Sequence, residues 1–445
     1  MVSIDGTTGA RHVSSLVRGL PKVQGLTAWH FLCAILVSVI LLPWIRVSSA
    51  APEIRPEWLL LVIALLTFHT VRRRAVSLSV VAWSAALIVG FLISTVYGAV
   101  VFNVDVGPRD LYECFKPLLY LLLYIFVASR SLSVNELRQF LRLALVVLSA
   151  VGVLSIIQYF APETIRPILV IYTDPERISQ YVRLRATGTM GNANDLGILF
   201  VFGFALALFT RRYRLFGPTT ASGVLVIMLC GIVAAGSRTA FVCMLLVTLY
   251  YFYSEVKLSL KTVIIVVAAS IALFKVCSLN LEILRKPIER YATLGNMSKD
   301  NAWMTRVYTA TKTLSDIRQS VLVGHGPDKI GFIWGANVDN EYILVLYRYG
   351  IVGVFLLTGY FYALWRQSQT QKWSSVPILR SYSHFATAIL LAGLLFAYTA
   401  GIYQIFRLMT LLILFLTIAA QTRLDSVDAK GRIPSETAVG PKVGA

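Results

Sequence analysis

Apolar stretches long enough to cross a bilayer recur along the chain from near residue 28 to near residue 420. A run of roughly 18 or more apolar residues is the signature of a transmembrane helix, because backbone groups beside lipid must be satisfied within the segment itself. About twelve spans can be drawn, near 28–45, 57–71, 76–101, 117–129, 141–160, 193–210, 218–235, 238–253, 260–278, 341–364, 382–400 and 403–420. The second and fourth are short. Only 14% of the 445 residues are charged and 57% are hydrophobic, whereas a soluble domain carries about a quarter charged residues. The expected fold class is an all-α polytopic membrane protein.

The net charge is +19, which on a soluble chain would point to nucleic acid. Here the basic residues sort by side. Arg11, Arg18 and Lys22 precede the first span, and Arg72, Arg73 and Arg74 follow the second. Arg130, Arg138 and Arg142 follow the fourth, and Arg211, Arg212 and Arg214 the sixth. Lys257 and Lys261 follow the eighth, and Arg366 and Lys372 the tenth. With alternating spans all of these fall on one side, which the positive-inside rule makes the cytoplasm. Nucleic acid is excluded as a partner. Residues 1–27 and 422–445 then read as polar cytoplasmic tails. Residues 28–277 hold spans one to nine with an outward loop at 161–192. Residues 278–340 form a large periplasmic segment, and 341–421 hold spans ten to twelve. A cleaved leader ending at Ser48-Ser49-Ala50 is disfavoured by Arg46. The five cysteines (Cys33, Cys114, Cys230, Cys243 and Cys277) have neither metal spacing nor a disulfide pattern.

The long outward segment carries a helical pattern, with Trp303, Val307, Thr311, Leu314 and Ile317 three to four apart. Such a helix would lie on the membrane surface or cap a cavity. It leads to Gly324-His325-Gly326-Pro327 and then Asp339-Asn340-Glu341-Tyr342, just before the tenth span.

Several outward arginines break the charge rule: Arg183, Arg185, Arg238 and Arg306. The sixth, eighth and tenth spans run from outside to inside, so their N-termini present free N–H groups and the positive dipole end outward. Arg185 precedes one of these ends, and Ser237-Arg238 opens another. Arginines at helix N-termini make an anion site, and phosphate is its usual occupant. Asn192, Asn194 and Asp195 also suit a helix cap, as do Asp339 and Asn340. His325, between two glycines, suits a turn.

Among motifs, no P-loop is present and no two aspartates lie two apart, so neither an ATPase nor a metal-dependent nucleotide-sugar site is indicated. No cluster has zinc spacing. An outward site of this kind needs a substrate that carries its own activation, such as a lipid-linked pyrophosphate sugar.

The run Arg185-x-x-Gly188 … Gly191-Asn192-x-Asn194-Asp195-x-Gly197 resembles the first motif of the O-antigen ligase and polysaccharide polymerase superfamily (WaaL and Wzy types). Gly236-Ser237-Arg238 resembles the second. Thr305-Arg306, Gly324-His325-Gly326-Pro327 and Asp339-Asn340-x-Tyr342-x-x-x-Leu346-x-x-x-Gly350-Ile351-x-Gly353 resemble the third. The resemblance implies a GT-C-like glycosyltransferase of the inner membrane that needs no metal or other cofactor. Its partners would be a glycan donor on undecaprenyl pyrophosphate, a glycan or lipid A-core acceptor, the bilayer and a chain-length regulator. Arg183, Arg185, Asn192, Asn194, Ser237, Arg238, Arg306, Asn340 and Tyr342 would bind donor, and Arg238 would stabilise the leaving group. The acceptor hydroxyl would attack with inversion, with Asp339 or His325 as general base. Ligases place a histidine where this chain has Asp339, which favours a polymerase. A secondary transporter for an anionic or lipid-linked solute would share the spans and arginines. It would be expected to break its helices at mid-membrane, whereas the polar residues here collect at outer helix ends.

Overall fold

The computed structural model describes residues 27–45, 53–67, 76–172, 185–213, 215–256, 301–328 and 338–423. Thirteen α-helices are defined among them. The first five are α1 (Ala28–Leu41), α2 (Pro56–Thr67), α3 (Leu78–Val101), α4 (Pro108–Ala128) and α5 (Val134–Phe160). Next come α6 (Pro162–Leu169), α7 (Ala193–Thr210), α8 (Pro218–Ala235) and α9 (Arg238–Tyr251). The last four are α10 (Asn301–Ile317), α11 (Glu341–Ser368), α12 (Pro377–Ala397) and α13 (Phe406–Gln421). Eight of these are long and apolar enough to cross a membrane, and α1, α2 and α13 are shorter apolar helices. The chain is an all-α polytopic membrane protein. The predicted span at 260–278 lies outside the described residues, as do residues 1–26 and 424–445 of the two tails.

Helix α7 is the axis of the bundle. Its sequence is apolar on every side, and such a helix must be enclosed by others. It packs against α5, α8, α9 and α12, with 83% of its span buried. The fourth span starts earlier than the sequence suggests, at Pro108 instead of 117. Asp110, Glu113 and Lys116 in its first turns are buried with partners and do not end the helix. Lys116 donates to Glu113 Oε2 at 2.6 Å, with both side chains almost wholly buried, and Asp110 Oδ2 accepts from Gly107 N at 2.9 Å.

Helices α3 and α11 lie close together because small residues remove side-chain bulk at their contact. A Cβ on Gly90 would stand 2.5 Å from Leu356, and one on Gly359 would meet the Trp83 ring at 2.5 Å. Helix α11 is broken at Gly350 (φ 64°, ψ −167°). In an apolar setting the freed backbone groups need partners, and residues 321–326 supply them. His325 N donates to Tyr347 O and Gly326 N to Arg348 O, at 3.0 and 2.8 Å. Ile351 N and Val352 N donate to Val321 O and Leu322 O. Ser94 Oγ from α3 adds a 2.6 Å bond to Arg348 O. The Gly-His-Gly-Pro stretch is therefore a patch laid over the break.

Helix α10, expected to lie on the membrane surface or cap a cavity, packs on α11. Thr309, Thr313 and Ile317 are buried, while Val307 and Leu314 are 40% and 45% exposed. Val307 and Leu314 of the apolar stripe point away from the bundle, whereas Ile317 packs inward beside Thr309 and Thr313. Finally, a short parallel pair joins Leu132–Ser133 (β1) to Thr422–Arg423 (β2).

Candidate active site

The N-termini of α7, α9 and α11 converge at one end of the bundle. Each is stopped by a local cap: Asn192 Oδ1 accepts from Asn194 N, Ser237 Oγ from Ala240 N, and Asn340 Oδ1 from Ile343 N. Such caps satisfy N–H groups that the helix cannot. Gly197, one turn into α7, lets α9 approach: a Cβ there would be 2.9 Å from Ser237 Cβ and 2.7 Å from Ala240 Cβ. Arg185 ties the start of α7 to the end of α8, from which the chain turns into α9. Its Nε donates to Ala235 O at the end of α8 (2.9 Å), and its Nη2 to Asn194 Oδ1 (2.7 Å). The turn Gly188–Met190 that leads into α7 is held from α5, where Gln158 Oε1 accepts from Thr187 N and Gly188 N.

Between the starts of α7 and α11 lies a cavity of about 260 Å³. Asn192 and Asp195 line it from α7, Asp339, Leu344 and Arg348 from the α11 side, and Gly401 and Gln404 from the loop before α13. Asp339 accepts from Arg306 Nε of α10 at 2.7 Å, a half-exposed pair that brings α10 over the cavity mouth. The 401–404 loop is fixed by Glu341. Its carboxylate, buried at the first position of α11, accepts from Ile402 N, Tyr403 N and Gln404 N at 2.8, 3.1 and 3.0 Å. Three N–H donors on one carboxylate form a charge-assisted nest. Glu341→Gln replaces one acceptor oxygen with a donor facing those amides. Hydrogen exchange at Ile402, Tyr403 and Gln404 should accelerate at least ~10-fold, since a hydrogen bond to a charged group is worth roughly 1.5–3 kcal/mol. Unchanged exchange would mean that the loop is held by other contacts.

Thus the structure brings together Asp339, Asn192, Asn194, Arg185, Ser237, Arg306 and Asn340 at the three converging ends. Arg238 occupies the first position of α9, and its neighbour Thr239 bonds Thr399, beside the cavity-lining Ala400. Arg183 lies outside the described residues. Two expected site residues sit elsewhere. His325 does not line the cavity: its ring is stacked on Tyr347 (centroids 4.7 Å apart) and against Phe102 (4.4 Å). Gly98 of α3 makes this possible, since a Cβ there would overlap His325 O. The buried His325 serves the patch over the α11 break. Tyr342 turns away from the cavity, its hydroxyl donating to Leu394 O at 2.7 Å. It lines a separate apolar groove of about 330 Å³ between α11 and α12, walled by Val345, Leu357, Phe361, Leu390 and Leu394.

Three residues at or near the cavity were not assigned a binding or catalytic role from sequence. Asp195 reads there as a cap, yet it lines the cavity opposite Asp339. Arg348 sits inside an apolar run and offers no motif. Arg407 opens α13, where a single charge looks like a boundary. Its Nη1 donates to Thr189 O and its Nη2 to Leu42 O, and its guanidinium lies 4.9 Å over the Trp44 ring. It thereby anchors the Gly188–Met190 turn from behind.

Residues 223–358 match a protein-family model described as O-antigen ligase. The match supports placing the chain in the O-antigen ligase and polymerase superfamily, as a membrane enzyme of ligase or polymerase type. The matched region holds Ser237, Arg238, Arg306, Asp339 and Arg348; Arg185 and the start of α7 lie before it. No curated protein matches the chain in a sequence comparison.

Proposed function

We propose that this protein is a periplasmic-face glycosyltransferase of the inner membrane that joins glycan repeat units carried on undecaprenyl pyrophosphate. The observation that carries the reading is the convergence of the α7 and α11 N-termini and two carboxylates on one polar cavity, with the start of α9 packed beside α7. Helix N-termini favour a diphosphate, and a carboxylate is needed to take a proton from an attacking hydroxyl.

In the proposed reaction a hydroxyl of the acceptor glycan attacks the anomeric carbon of the donor from the face opposite the pyrophosphate. The new C–O bond forms as the bond to the leaving phosphate oxygen breaks. The hydroxyl proton passes to Asp339, and undecaprenyl pyrophosphate departs with the bonding electron pair. Arg306 holds Asp339 toward the cavity through its single contact to Oδ2. Arg185 and Arg238 supply positive charge near the leaving group, where charge develops in the transition state. Glu341 links the apolar groove between α11 and α12 to the cavity: it lines the groove, and its carboxylate holds Gln404, which lines the cavity. A prenyl tail in the groove would place its diphosphate at the cavity.

Asp339 in place of a histidine favours polymerase over ligase. Deleting the gene in its host and resolving the surface polysaccharide and lipid-linked glycans tests this. Single repeat units, capped on core or left on the carrier with no ladder, are expected. Long polymer accumulating on the carrier with bare core would instead identify a ligase. An unchanged profile together with solute flux in proteoliposomes would replace the enzyme by a transporter.

A further inference from the structure

Arg185, Arg238 and Arg306 do not line the cavity. Arg185 is turned to Ala235 O and Asn194, and Arg306 to Asp339. Among the described residues that line the cavity, Asp195 and Asp339 are acidic and Arg348 is basic. A diphosphate entering beside two carboxylates needs a countercharge within the same space.

Arg348 is placed to supply it. It is the eighth residue of α11, so a rise of about 1.5 Å per residue puts it on the order of 10 Å below the helix start. It is 5% exposed, and its Nε has no hydrogen-bond partner among the described residues. Its Nη1 reaches Gln404 Oε1 only at 3.4 Å, at the long limit of a hydrogen bond. A buried guanidinium with unspent donors is costly, and such groups beside lipid are kept for a ligand or a pathway. The backbone around it is unusually well fixed. Arg348 O accepts from Ser94 Oγ and Gly326 N, and Gly324 packs against the Arg348 carbonyl so closely that a Cβ would come within 2.4 Å. The break at Gly350, two residues on, and its patch therefore hold this side chain at the cavity wall.

We propose that Arg348 is the residue of the cavity that binds the diphosphate of the lipid-linked donor directly, with Gln404 as its resting partner. The inference rests on the cavity being the donor site. The guanidinium fork matches two phosphate oxygens at once, which the ammonium of lysine cannot do. The Gly-His-Gly-Pro motif then acts through Arg348: its conformation sets where the guanidinium lies.

The test is binding of undecaprenyl pyrophosphate, undecaprenyl phosphate and undecaprenol to the full chain in nanodiscs, for the wild type, Arg348→Lys and Arg348→Gln. The wild type should prefer the pyrophosphate to the alcohol. Arg348→Gln should weaken pyrophosphate binding at least 10-fold and leave undecaprenol unchanged, with Arg348→Lys in between. If Arg348→Gln misfolds, the Arg348→Lys arm still decides, because loss of the fork alone should weaken the pyrophosphate more than the monophosphate. Equal pyrophosphate affinity in all three proteins would overturn the assignment and make Arg348 a structural counter-ion. Failure of the wild type to prefer pyrophosphate over undecaprenol would instead bring down the donor-site reading beneath it.

Discussion

Asp339→Asn is expected to insert in the membrane at the wild-type level and to elongate glycan at least ~10²-fold more slowly, with the apparent donor affinity changed little. General-base catalysis contributes typically 10²–10⁴-fold, and asparagine keeps the shape while removing the acceptor of the proton. The ion pair with Arg306 is half exposed, so its loss should cost little stability. The same assay on Asp195→Asn separates the two carboxylates of the cavity. A fully active Asp339→Asn enzyme beside an inactive Asp195→Asn enzyme would transfer the base role to Asp195. Activity in both would remove carboxylate base catalysis from the mechanism.

Gly350→Val should prevent accumulation of folded protein. The backbone there has φ 64° and ψ −167°, a region that residues with a Cβ essentially do not enter. A Cβ would also stand 2.1 Å from Leu322 O and 2.3 Å from Leu322 C. The neighbour is backbone of the patch that satisfies the break, so it cannot move aside without losing those hydrogen bonds. Strain of this kind costs on the order of 1–3 kcal/mol before any clash, and the overlap adds more. Fluorescence-detected size-exclusion chromatography of a tagged protein reads the outcome. A monodisperse peak at the wild-type height would show that the break tolerates a side chain. Gly223→Ala in α8 is the matching control, since a Cβ there meets nothing within 4 Å.

These two positions also show what was legible beforehand. Asp339 could be found because it stands at the polar edge of an apolar run, where a helix start is written in the residue types. The same holds for Asn192, Ser237 and Asn340, whose caps need only local hydrogen bonds. Convergence of the three ends was not legible, because it depends on Gly197 and on Arg185 reaching Ala235 across 50 residues of chain. Arg348 was hidden for a related reason. Its neighbours in sequence are apolar or aromatic, and its cavity is completed by Gln404, far along the chain. Charges at Glu113 and Lys116 shortened the fourth span on paper, although they neutralise each other in the folded helix.

The parallel contact between Leu132–Ser133 and Thr422–Arg423 has a practical use. It brings the entry of α5 and the exit of α13 to one place, so both must open onto the same compartment. A single compartment-sensitive reporter fused beyond Arg423 would therefore report the side of two connections nearly three hundred residues apart in the chain. A reporter inserted at the α4–α5 turn must give the same answer. Agreement between the two would orient the bundle, and with it the mouth of the cavity, without any glycan assay.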